Sequence, residues 1–192
     1  TRQEYGDPFD PMGDGEGHYA AGNKERLGWL SSDTMTISSS GTYTIGRSAD
    51  PDAPLRMLRI RRDDGRRMTV EMRGGFGTFE VLPAGGEGVQ VRLESTRRVE
   101  QTLLVDGTPE TPTARDAPLT PGRTLVDPGG VAVTVLRMDD RTADVQVDLG
   151  AAGADTQPPS TPDARAELRE DGVALSWTTA SDDRRVLDYV VF

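Results

Sequence analysis

The side chains that could do chemistry crowd into the first eighteen positions of this sequence. Asp7, Asp10, Asp14 and Glu16 stand close together, and the chain's only histidine, His18, follows them. Closely spaced carboxylates are hard oxygen ligands, so Asp7, Asp10 and Asp14 are candidates for a weak calcium site. Their spacing departs from the EF-hand pattern, and Asp side chains also close turns, so a structural role is the alternative. His18 has two readings. It could face a cleft, donating to substrate or tuning a carboxylate, or it could pack or cap beside the helix that follows. Among the acids sits Met12, in a run where Gly6, Pro8, Pro11 and Gly13 exclude helix and strand. The backbone must therefore turn tightly around one large apolar side chain, with Gly13 permitting the reversal. A soft thioether suits the space beneath a ligand shell, and equally an ordinary gap under a turn. One histidine and no cysteine cannot assemble an imidazole- or thiolate-based zinc site, and HExxH does not occur.

These residues need elements to position them. The stretch Ala20 to Leu27 predicts about two turns of helix, stopped by Gly28 in the left-handed conformation. Lys24 and Arg26 fall in its last turns, where positive charge suits the helix dipole. Trp29 and Leu30 are expected to anchor the exit against a core. From Thr34 the period changes to two. Met35 and Ile37, then Tyr43 and Ile45, flank Ser38 to Gly41 and predict a hairpin. Leu58 and Ile60 alternate with Arg59 and Arg61, and after Asp63, Asp64 and Gly65 the return strand carries Met68, Val70 and Met72, the clearest hairpin of the chain. Further strands are predicted at 89–93, 103–105, 125–126, 131–136 and 143–149. Short strands separated by Gly, Pro and Asp predict a mainly β chain built as an antiparallel sandwich. The second hairpin carries six arginines, 59, 61, 62, 66, 67 and 73, against the acids 63, 64 and 71. A solvated strand face is the simplest reading, and an anionic partner the lesser one.

Composition narrows the function classes. The 192 residues are 34% hydrophobic, 5% aromatic and 28% charged, enough for modest cores but not for long helices. A net charge of −10 repels a phosphate backbone and argues against nucleic acid and anionic membranes as partners. No apolar run is long enough for a transmembrane segment. Lys24 is the only lysine among 22 basic residues, which we read as coding bias.

The run EYGDPFDPMG, Glu4 to Gly13, followed by HYAAGNKERLGWL, His18 to Leu30, resembles the segment after the zinc helix in gametolysin-like secreted metallopeptidases. The match covers Glu4 to Leu30. In that family the methionine occupies a Met-turn beneath the metal, so the resemblance implies that Met12 and Gly13 are an active-site floor. The zinc, an HExxH helix with its general-base Glu, and the peptide or protein substrate would belong to a parent protein whose catalytic helix precedes Thr1. The chain as given is then inactive alone. Residues 53–60 and 116–133 resemble more loosely the accessory β domain of bacterial members, which implies a secreted, extracellular protein of bacterial type.

At the other end, DTQPPSTP reads as a linker, and GVALSW with Trp177 and DYVVF with Tyr189 resemble the opening strands of a fibronectin type III domain. That resemblance places Trp177 and Tyr189 in a core, and Asp182 and Asp183 in the turn between strands. The expected organisation is a turn-helix remnant of a zincin domain at 1–30, an accessory β-sandwich at 31–150, a linker at 151–162 and a truncated fibronectin-like sandwich at 163–192. A start at Thr1 and an end inside a strand suggest a piece of a longer protein. Two function classes follow. One is the C-terminal part of a secreted zinc metallopeptidase; the other is a non-catalytic β-sandwich module binding extracellular glycan or matrix protein.

Overall fold

The computed structural model describes residues 5–30, 32–62, 66–94, 102–150, 160–169 and 172–181. Among them the chain is mainly β, with one short helix, α1 (Ala21–Arg26). The strands are β1 (Thr34–Ile37), β2 (Gly41–Gly46), β3 (Met57–Arg61), β4 (Arg67–Arg73), β5 (Gly88–Glu94), β6 (Thr102–Val105), β7 (Thr124–Val126), β8 (Ala132–Met138), β9 (Thr142–Asp148), β10 (Ala164–Arg169) and β11 (Gly172–Trp177). They form a five-stranded sheet in the order β1-β3-β4-β5-β6, a four-stranded sheet β2-β9-β8-β7 and a two-stranded sheet β10-β11. No helix among the described residues is long and apolar enough to cross a membrane.

Alternation dictates the layering. In β4, Met68, Val70 and Met72 point one way and Arg67, Thr69, Glu71 and Arg73 the other; in β5, Val89 and Val91 oppose Gln90, Arg92 and Glu94. The antiparallel register sets Val70 opposite Val91 and Leu58, and Met68 opposite Ile60, so the apolar side chains share one face. That face joins a buried cluster with Ile45, Val133, Val135, Ala143, Val145 and Val147 of the four-stranded sheet. The ion pair of Arg62 with Asp127, 2.7 Å apart and buried, ties the end of β3 to the turn between β7 and β8.

The hairpin expected across Ser38 to Gly41 does not form. β1 pairs parallel with β3, whereas β2 pairs antiparallel with β9, so Ser38, Ser39 and Ser40 carry the chain from one sheet to the other. Local bonding explains the choice. Arg56 N–H donates to the Asp33 carbonyl at 2.8 Å and its guanidinium grips the Asp33 carboxylate, starting β1 against β3. Ser40 Oγ accepts from Leu149 N–H at 2.9 Å, holding the start of β2 at the end of β9. The β3–β4 hairpin forms as expected, with the expected turn at Asp63 to Gly65 outside the described residues.

β10 and β11 pair antiparallel with Ala164 opposite Trp177, Ala166 opposite Leu175 and Leu168 opposite Val173, which places all six on one face of the hairpin. Trp177 retains 45% exposure, short of the core burial expected. The expected linker from Asp155 and strand from Val186 to Phe192, with Tyr189, Asp182 and Asp183, lie outside the described residues, apart from 160–162.

The shared apolar face sets the expected cost of substitution. Ile60, fully buried, is expected to cost about 2–5 kcal/mol on truncation to Ala, against less than about 1 kcal/mol for Thr42→Ala on the exposed face of β2. Urea denaturation of the two variants checks the difference; equal losses would refute this placement of the core.

Candidate functional site at the Met12 turn

Residues 5–30 lie against the outward face of the five-stranded sheet, the face opposite the shared core. The Met12 turn is closed from within. Gly13 N–H donates to the Asp10 carbonyl at 2.7 Å and Asp14 N–H to the Asp7 carbonyl at 2.8 Å. The carboxylates complete the job: Asp7 Oδ1 accepts from Phe9 N–H and Asp10 Oδ1 from Met12 N–H, both at 2.9 Å. Met12 is left at the tip, 54% exposed. Gly13 is required for a reason different from the reversal expected. A Cβ there would sit 2.6 Å from the Asp7 carbonyl oxygen and 2.9 Å from its amide nitrogen, so it is the close approach of two backbone segments that excludes a side chain. Gly15 is enclosed likewise, 2.5 Å from the Asp10 amide nitrogen.

The turn is fastened to α1 and to the sheet. Asp10 Oδ2 accepts from Ala20 N–H at 2.9 Å and from Asn23 Nδ2 at 2.8 Å, and Glu71 Oε1 on β4 accepts from Ala21 N–H at 3.1 Å. Two carboxylates from elsewhere in the chain thus serve the amides at the start of a helix whose own N-cap, Ala20, has no side chain to do so. The C-terminal end follows expectation: Gly28 adopts φ +79° and Trp29 N–H donates to the Lys24 carbonyl at 2.9 Å.

Two fully buried arginines carry the attachment. Arg92 on β5 pairs with the Asp7 carboxylate, donates to Gln90 Oε1 at 2.9 Å and lies 3.4 Å from Glu71 Oε1. Arg73 on β4 donates to Glu80 Oε1 at 2.6 Å, to the Phe9 carbonyl at 3.0 Å and to the His18 carbonyl at 3.1 Å. Lys24 is buried too, its Nζ donating to the Ser48 carbonyl at 3.0 Å. The solvated arginine face expected for this hairpin is therefore covered at Arg73, and Arg62 is buried at the end of β3, while Arg61 remains exposed.

Burial and charge compete at each titratable group. Burial alone would raise the Glu71 carboxyl, but Arg73, Arg92 and Lys24 together outweigh it and hold it below its ordinary value. At Glu80 burial prevails over the attraction of Arg73 and the carboxyl is raised. Burial, then the charges of Lys24 and Arg73, lower the His18 imidazole. Burial lowers the Lys24 ammonium to about 8, against the pull of Glu71.

The sequence-derived candidates meet this geometry unevenly. Asp7 and Asp10 converge on the turn, with their oxygens engaged by N–H donors and a guanidinium, while Asp14 and Glu16 are exposed. No group of three or more His, Cys, Asp or Glu poised for a metal occurs among the described residues. His18 is half-buried and packs edge-on to Phe79, ring centroids 6.5 Å apart, rather than capping the helix. Leu30 is buried as expected, whereas Trp29 is 57% exposed, with its ring edge-on to Tyr19. Lys24, Glu71, Arg73, Glu80 and Arg92 were not among the candidates. A signal existed for Lys24 as the single lysine among arginines, and for Glu71, Arg73 and Arg92 as polar residues alternating with the apolar positions of β4 and β5; Glu80, in a loop, carries none. The chain matches no family model, no curated protein and no solved structure.

Lys24 gives a signed pH dependence. Its folded value near 8 lies below the 10.5 of a free lysine, so the unfolded chain binds the proton more tightly between those values and this group's contribution to stability rises with pH across that window. Relative to Lys24→Met, the wild type is expected to gain on the order of 2 kcal/mol between pH 7 and pH 10. Denaturant titrations of both proteins at each pH measure the gain; a constant difference would show that Lys24 titrates like a free lysine.

Proposed function

We propose that this chain supplies the active-site floor and an accessory β-sandwich to a secreted zinc metallopeptidase of bacterial type, and is not itself catalytic. The observation that carries the reading is the Met12 turn. An exposed thioether gains nothing from rigid support, yet this one stands on backbone bonds, Asp7 and Asp10 carboxylates and the buried guanidinium of Arg92. Such support serves whatever lands on the turn, and a thioether offers imidazole ligands a soft surface without displacing them from their metal. The lack of histidines beyond His18 is in keeping with this role, since a floor needs none. Zinc, when bound by the remainder of the enzyme, would polarise the scissile carbonyl and activate water. Residues 5–30 would form the floor, the two sheets with their common core the accessory sandwich, and β10 and β11 the opening of a fibronectin-like spacer.

A second reading, a module that binds extracellular glycan or matrix protein, is favoured by the exposed rings of Trp29 and Phe79. Polysaccharide and matrix-protein retention by the intact chain, lost in Trp29→Ala, would favour it; no retention across a broad panel would count against it.

The decisive experiment uses the polypeptide that includes the residues encoded ahead of Thr1. That segment is expected to carry HExxH and a further histidine, to bind one zinc and to cleave a protein substrate, with cleavage abolished when the motif Glu is replaced by Ala. Met12→Ala is expected to lower zinc affinity and activity without removing a ligand. Absence of the motif, or unchanged zinc affinity and activity in the Met12 variant, would sink the proposal.

A further inference from the structure

The five-stranded sheet is covered on both faces by opposite chemistry. Its inner face contributes to a cluster of seventeen buried apolar residues. Its outer face on β4 and β5 presents Arg67, Thr69, Glu71, Arg73, Gln90, Arg92 and Glu94, and residues 5–30 sit on it. The apolar contribution there is smaller: a cluster of three, Ala21, Leu30 and Met57, with Ala20 and Phe9 also fully buried, Phe9 beside Gly86. Parting the two sheets would expose hydrocarbon along their whole length. Parting residues 5–30 from the outer face would chiefly return carboxylates, guanidinium groups and the Lys24 ammonium to water, which solvates them. The second separation is therefore far less costly than the first, and it leaves the core intact. The downstream end stays fixed, because Arg56 holds Asp33 at the entrance to β1.

We propose that residues 5–30 are a strap that docks on the charged outer face of the sheet and lifts from it as a unit while the two-sheet core stays folded. Arg92 and Arg73 are its latches, one holding Asp7, the other the carbonyls of Phe9 and His18. Presentation of the Met12 turn is then a two-position property of the protein, set by whether the strap is docked. This concerns the chain's own residues and stands whether or not the peptidase reading does.

Native-state hydrogen exchange of the intact chain in low urea tests it. The amide of Ala21, whose acceptor Glu71 Oε1 lies on the sheet, is expected to exchange at least tenfold faster than those of Val133 and Val145, with a much weaker urea dependence. In Arg92→Gln exchange at Ala21 is expected to quicken a further tenfold or more while Val133 and Val145 change less than twofold. Exchange of both sets at the same rate with the same urea dependence would overturn the proposal, as would equal acceleration of both in the variant. Should Arg92→Gln not fold, the wild-type urea series alone decides.

Discussion

A guanidinium shut away from water must find its partners within the protein, and Arg73 and Arg92 impose that condition on everything around them. Each stands on the outward face of a sheet, where an arginine ordinarily reaches solvent, and each is fully buried. Leaving such a charge uncompensated is among the costlier faults a fold can contain. Asp7, Glu71, Glu80 and the carbonyls of Phe9 and His18 therefore have to be where they are, and they bring the N-terminal turn and helix with them. The Met12 turn is placed less by its own sequence than by two arginines some sixty to eighty residues away.

The same arrangement divides labour between the faces of one sheet. The inner face supplies cohesion through apolar packing, which is strong and indifferent to detail. The outer face supplies register, because ion pairs and carbonyl acceptors tolerate only one alignment of the covering segment. A carboxylate such as Glu71 shows how tightly the parts depend on one another. It serves a helix amide and lies against Arg92, and the neighbouring cations hold its carboxyl below the ordinary value despite its burial.

Much of the β structure was legible in the sequence because period-two alternation is a local signal. Leu58 to Ile60 against Met68 to Met72 could be paired on sight, and Gly28 marked the end of the helix. Pairing between distant strands is not local. Ser38 to Gly41 looks like a turn, and nothing within it says that β1 will join β3 while β2 joins β9. Alternation also cannot tell whether a polar face is wet. Arg73 reads as solvated because the segment that covers it lies far upstream, and Arg62 because its partner Asp127 lies far downstream. Gly13 was the right residue for a different reason, since the constraint there is proximity to Asp7 rather than backbone rotation. Trp29 and Trp177 show the limit of treating every large aromatic as core.

Lys24 is the only side-chain amine in 192 residues, and it is sealed between the helix and the Ser48 carbonyl. To reagents that target lysine, the folded protein is therefore nearly blank. Amine-directed dyes, cross-linkers and lysine-cleaving proteases find no exposed lysine side chain while the N-terminal segment is seated. Arginine chemistry, by contrast, meets many targets. A handle that most proteins display by the dozen exists here once, and it is on the inside.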